Sequence, residues 1–241
     1  MQWTKWHTAL VLLFIALVAG LCALATQLSL SRSNHLGLWF TVALGVLVLA
    51  LMLVVGHGVA GRIDGILVDA RNRVTLSNFQ LVTWTLVVIT AWGGAFLTNL
   101  LAGKSPNAAL NVSVPQELWA ALGVSGASYV GAKAISAPQK VKGMLHRRDS
   151  AQHASWADLF TSDLDAEAGH TDISKVQMFL FTVVLAIGYM GAVVNMLLNP
   201  TTPITALPPL NTAFVVVLAI SHGGYLGRKA TGNIGAPPAA G

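Results

Sequence analysis

The strongest constraint on this chain is a set of long stretches without a charged side chain. Residues 9–28, 36–60, 79–102, 118–132, 176–198 and 210–226 contain no Asp, Glu, Lys or Arg. A helix crosses the hydrocarbon core of a bilayer with about 20 apolar residues, in a range of roughly 17–25. Four of the runs meet that length comfortably, while the fourth and sixth are short and rich in small residues. The runs are continuous rather than alternating, which favours helices over barrel strands. Only 10% of the chain is charged, against about 25% in soluble domains. The expectation is an all-α membrane protein, a six-helix transmembrane bundle with both termini on the cytoplasmic side.

Lys and Arg set that orientation. Six spans place Lys5, Arg62, Arg71, Arg73, Lys133, Lys140, Lys142, Arg147, Arg148, Lys175, Arg228 and Lys229 on one side, and only Arg32 and Lys104 on the other. Cytoplasmic loops carry such an excess. The net charge of +5 then follows from topology, with no nucleic-acid partner needed. Lys5 followed by an apolar stretch and Ala23-Leu24-Ala25 has the form of a signal peptide, but the stretch is longer than a usual signal core, so a retained anchor is expected. Cys22 is the only cysteine, which excludes an internal disulfide and cysteine-based metal clusters.

The chain carries an internal duplication. At an offset of 97 residues Ser77 matches Ser174, Gln80 matches Gln177, Thr85 matches Thr182, Trp92 aligns with Tyr189 and Gly94 matches Gly191. The following spans match at an offset of 96, pairing Ser125 with Ser221, Tyr129 with Tyr225, Gly131 with Gly227 and Lys133 with Lys229. Each unit reads as a helical hairpin, and the two hairpins run in parallel. The organisation expected is an N-terminal transmembrane pair (1–61), hairpin repeat 1 (62–135), a cytoplasmic loop with an amphipathic segment (136–172), hairpin repeat 2 (173–231) and a disordered tail (232–241).

Ser77-x-x-Gln80 and Ser174-x-x-Gln177 read as capping boxes, with Thr75 and Asp172 as alternative caps. Gly123, Ala127 and Gly131, like Ala219, Gly223 and Gly227, form small-xxx-small faces that let helices approach closely. Ser125, Tyr129 and Lys133 share one face, as do Ser221, Tyr225 and Lys229, and this face is expected to make helix–helix contacts. The motif Ser-x-x-Gln-x-x-x-(Trp/Phe)-Thr followed by Ser-x-x-x-Tyr-x-Gly-x-Lys resembles a group of bacterial membrane proteins that carry this hairpin in tandem, over residues 62–135 and 156–231. The resemblance implies a bacterial inner-membrane protein and no particular activity.

Trp3, Trp6, Trp39 and Trp119 fit interfacial belts, whereas Trp92 and Tyr189 fall mid-span and point to a core contact between hairpins. The 134–172 segment opens with Lys140, Lys142, Arg147 and Arg148, candidates for contact with anionic lipid headgroups. Trp156, Leu159 and Phe160 have the spacing of a short amphipathic helix lying on the membrane or on a partner. Asp163, Asp165, Glu167, His170 and Asp172 follow without the glycine position and closing glutamate of a calcium loop, so no metal and no cofactor is expected.

Gly123-Val124-Ser125-Gly126 with Tyr129 also resembles the active-site motif of rhomboid intramembrane proteases, with His222 two spans later as base. That resemblance implies a catalytic pair, Ser125 and His222. The chain departs from the family in its short first outer loop, in having no histidine in the outer half of the second span, and in the long loop between spans four and five. Ser125 and Tyr129 also recur as Ser221 and Tyr225, so a duplicated packing motif explains them without catalysis. His222 breaks the repeat, standing where the first copy has Gly126, and an intramembrane histidine is a functional candidate. Asn99 and Asn195 are candidates for a pore lining or for interhelical hydrogen bonds. No charged residue lies in the apolar core of any span, which disfavours coupled transport. The leading expectation is a non-enzymatic, self-associating scaffold or pore component, with a cytoplasmic partner met through residues 134–172.

Overall fold

Backbone amides in lipid are satisfied only within helices or closed barrels, and every apolar run falls on a helix. The computed structural model describes residues 3–28, 35–141, 145–164, 167, 169–201 and 203–231. Its helices are α1 (Lys5–Gln27), α2 (Leu36–Ala60), α3 (Leu76–Leu101), the single turn α4 (Pro106–Ala109), α5 (Gln116–Val141), α6 (Ile173–Leu198) and α7 (Thr212–Thr231). Among the described residues no strand forms, only isolated bridges such as Val68 with Val74 and Leu145 with Leu164. The tail 232–241, Arg32, Lys142 and Asp165 lie outside the described residues, as does the side chain of Lys140.

Helices α1, α2, α3 and α6 are long and apolar enough to cross a membrane, and they mark the chain as a membrane protein. Helix α5 runs well past the apolar stretch, as far as Val141, and Ser125, Ser128 and Lys133 dilute its apolar character. The apolar part of α7 stops at Gly227. These are the fourth and sixth runs, the two that are short in the sequence.

Helix α3 is the hub, packing against α1, α2, α5 and α6. Its Trp84, Val88, Ala91 and Ala95 meet Leu118 and Ala121 of α5, Leu185, Tyr189 and Val193 of α6, and Leu218 of α7. Trp92 packs partly buried against the same cluster as Tyr189. Helix α1 is the loosest: Leu12 and Ile15 are exposed on a helix that is apolar all round, a surface suited to lipid rather than water. Its first turn is pinned to the end of α2, where His7 Nε2 lies 3.0 Å from His57 Nδ1 and Trp3 packs against the His7 ring.

The close approach of backbones falls elsewhere than the sequence indicates. Side chains at Gly123, Gly126, Gly223 and Gly227 would meet nothing within 4 Å, and only Gly131 sits against a neighbour, Leu226. The tight seam joins α2 to α3 instead. A Cβ on Gly37 would lie 2.6 Å from Thr98 Oγ1, one on Gly45 3.1 Å from Thr90, and one on Gly94 would overlap Thr41. The hydroxyls that fill these gaps bond back into their own helices, Thr41 to the Gly37 carbonyl at 2.7 Å and Thr98 to the Gly94 carbonyl at 2.8 Å.

The helix starts differ too. Thr75 caps α3, accepting from the Asn78 amide, and Asp172 caps α6, accepting from the Ser174 amide. Ser77 and Ser174 sit inside the first turn, and Gln80 is freed for another task. The 156–160 segment, expected as a short amphipathic helix, forms only a 3₁₀ turn, Trp156–Leu159. Leu159 is fully buried, Trp156 is exposed, and Phe160 packs edge-on against Phe179 of α6.

Candidate functional site at the basic end of the helices

Two polar regions are built by residues that the sequence singles out. The first lies inside the bundle. Gln80, fully buried on α3, donates through its amide nitrogen to Thr182 Oγ1 on α6 at 2.8 Å and lies 3.0 Å from His222 Nε2 on α7. One glutamine thereby ties three helices together. The position matched to Gln80 by the duplication, Gln177, is exposed. The His222 ring faces the α5 backbone at Val124, and Ser125 and Ser221 are buried beside this knot. Among the described residues no hydrogen bond joins Ser125 to His222; the Ser125 hydroxyl has no partner, and Gln80 occupies His222 Nε2.

The asparagines do different work. Asn99 is fully buried and clasps the connection before α7, accepting from the Ile204 amide at 2.7 Å and donating to the Ile204 carbonyl at 2.9 Å and the Ala109 carbonyl at 3.3 Å. Asn195 is exposed and bonds to Asn199 one turn on. Asn99 thus acts as a clasp on the connection, with both its oxygen and its nitrogen engaged.

The second region gathers the end of α2, the starts of α3 and α6, the ends of α5 and α7, and the 145–172 segment. The Asp163 carboxylate is its centre. It accepts from Lys229 Nζ at 2.6 Å, Lys175 Nζ at 2.9 Å and Arg71 Nη2 at 3.3 Å, and lies 3.7 Å from Arg73 Nη1. Burial pushes the Asp163 pKa up, but Lys175, Lys229 and Arg71 outweigh it and hold the carboxyl well below the usual range. Asp158 is a second hub, 2.7 Å from Arg148 Nη2 and 3.6 Å from Arg73 Nε. Burial opposes its charge, and the hydrogen bonds from Arg148 and the Ser155 amide restore it, leaving the pKa lowered. Carbonyls complete the sphere: Arg73 donates to Ser162 at 2.9 Å, Lys175 to Thr161 at 2.7 Å, and Arg62 to Ala154 at 2.6 Å.

Arg148, expected at lipid headgroups, is therefore spent on Asp158, while Arg147 is exposed. Asp172 is used as a helix cap and Asp163 as an ion-pair centre. The sequence reading missed the hubs Asp158 and Asp163 and the burial of Arg71, Arg73 and Lys175. Asp163 has Lys175 12 residues away but Lys229 and Arg71 66 and 92 away, and no local spacing records the distant ones. The one signal was scarcity: in a chain this poor in acids, aspartates flanked by basic helix ends are few.

Beside this network is a cavity of about 310 Å³, lined by Arg71, Ser77, Tyr129, Lys133, Tyr225 and Lys229 among others. Both Tyr–Lys pairs of the duplication thus face one space. Lys133 Nζ bonds to the Tyr129 hydroxyl and sits 4.2 Å over its ring. No family model matches the chain, and neither a curated protein nor a solved structure does.

Proposed function

We propose that this chain is a non-enzymatic scaffold of the bacterial inner membrane. In this reading six helices cross the bilayer, two of them marginal in hydropathy, and both termini and the 134–172 segment lie in the cytoplasm. The observation that carries it is the anchoring of residues 145–172. A segment that the sequence presents as a loop is clamped through Asp163 to the start of α6, the end of α7 and the α2–α3 connection, and to Arg62 and Arg73 through its carbonyls. Buried charges held this firmly fix geometry, and a fixed polar platform that shows Trp156 to its surroundings suits a partner protein. Exposed aromatics are the side chains on which interfaces most depend. Open glycine faces on α5 and α7 support self-association in the bilayer.

The pore reading has weaker support, because the space between α3, α5 and α6 is filled by Trp84, Leu118, Leu185 and Tyr189. The protease reading is weakened by the engagement of His222 with Gln80. The test is a photo-crosslinker placed at Trp156 in living cells. A discrete adduct to another protein, lost in Asp163→Asn, is expected. Adducts to lipid alone, or none, would sink the scaffold reading. Labelling of Ser125 by a fluorophosphonate, abolished by His222→Ala, would reinstate the protease.

A further inference from the structure

We propose that the cavity between the ends of α3, α5 and α7 binds the phosphate of an anionic phospholipid, with an acyl chain laid along α3. Four observations converge on it. First, three cations and one carboxylate line the cavity among the described residues: Arg71, Lys133, Lys229 and Asp69. Second, Arg71 is only 8% exposed and spends Nε on Asp69 at 2.7 Å and Nη2 on Asp163, yet its buried Nη1 has no partner. A buried guanidinium donor left unmatched is costly, and a phosphate oxygen is a charged acceptor for that one nitrogen. Third, the Tyr129 hydroxyl and Lys133 Nζ stand together on the same wall, the second of them exposed and able to turn toward an anion. Fourth, a separate cavity of about 300 Å³ shares Asn78 and Tyr129 with the first and continues along α3 past Leu81, Val82 and Thr85 to Met52 of α2. A space carrying charged side chains at its wall, beside one lined mainly by Met52, Ile66, Leu81 and Val82, has the shape of a phospholipid rather than of a free phosphate.

The inference needs the chain to sit in a membrane; it does not rest on the scaffold reading, and the two fail separately. It also moves lipid contact from Arg148, which is occupied, to Arg71, Tyr129 and Lys133.

The full chain, purified in mild detergent and stripped of lipid, is titrated with dioctanoyl phosphatidylglycerol, dioctanoyl phosphatidylcholine and inorganic phosphate, with adducts counted by native mass spectrometry. The anionic lipid is expected to bind about tenfold more tightly than the zwitterionic one, because the two share a phosphodiester but only the choline ammonium is repelled by Lys133 and Lys229. Lys133→Gln, at an exposed position, is expected to erase most of that preference, and Arg71→Lys, which removes the unmatched prong, to weaken both lipids alike. Leu81→Trp is expected to fill the groove and weaken lipid without changing phosphate binding. Equal affinity for the two lipids would overturn the proposal, as would a preference that survives Lys133→Gln in a chain with unchanged melting. Inorganic phosphate binding as tightly as the lipid would overturn the acyl-chain groove and leave a free phosphate as the ligand.

Discussion

Replacing Asp163 with Asn keeps the shape of the side chain and removes the one charge on which four cations converge. Lys175 and Lys229 have side chains 3% and 7% exposed, so water cannot take over the carboxylate's role. Taking one partner from a buried ion pair costs about 3–5 kcal/mol, because the remaining charge is left unmatched. With Arg71 and Arg73 also within 3.7 Å, the upper half of that range applies. For a chain of this size about 4 kcal/mol lowers the melting temperature by about 8–16 °C. The assay is thermal unfolding in mild detergent, followed by intrinsic tryptophan fluorescence, with limited proteolysis reporting separately on residues 145–172. Asp64→Asn is the milder comparison: its pair with Arg62 has side chains 19% and 17% exposed, and the guanidinium left behind keeps the Ala151 and Ala154 carbonyls, so a smaller loss is expected. Adding Lys229→Met to Asp163→Asn removes one stranded cation and is expected to recover part of the loss. The sign with pH follows from the depressed pKa of Asp163. Its contribution is complete above the ordinary carboxylate pKa of about 4 and is lost as pH falls through the lower folded-state value, so the platform loosens only in strong acid. An Asp163→Asn melting temperature within about 1 °C of the wild type, or no lower than that of Asp64→Asn, would refute the reasoning.

Two further predictions each set a position in the first hairpin against one in the second. Gly94→Ala is expected to force α2 from α3 through the clash with Thr41 and to destabilise by about 1–3 kcal/mol, typical of overpacking, whereas Gly191→Ala meets nothing within 4 Å and is expected to be neutral in the same melting assay. Asn99→Ala strands the Ile204 backbone groups and the Ala109 carbonyl at a cost of about 1–3 kcal/mol. Asn195→Ala, exposed and bonded only within its own turn, is expected to be silent, and hydrogen exchange at Ile204 separates the two.

The long helices were legible because lipid leaves the backbone no alternative, so length and absence of charge suffice. The weakness of the fourth and sixth runs was legible for the same reason. Caps were legible only as alternatives: Ser77 and Thr75 both precede the apolar run, and which hydroxyl reaches an orphan amide depends on where the Val68–Val74 turn delivers the chain. The glycine seam was misplaced because small residues in sequence reveal a capacity for close contact, not the partner. Gly94 meets Thr41 while its counterpart Gly191 stays open. His222 stood out by breaking the repeat, but that its neighbour would be Gln80, 142 residues away, was written in no local pattern. The charge network was the least legible, because positive-inside counting treats Arg71, Arg73 and Lys175 as topological labels and says nothing of burial.

The position of Lys229 bears on how the molecule is made. Asp163 acquires its closest cation from a residue 66 positions later, near the end of the last helix. During synthesis the aspartate emerges at about 5–20 residues per second, well ahead of that lysine. The ion-pair centre therefore stays incomplete until α7 has been made and packed. A chain truncated before α7 would expose an unfinished charge cluster and a loosened 145–172 segment. The ion-pair centre thus ties the order of the 145–172 segment to the presence of α7.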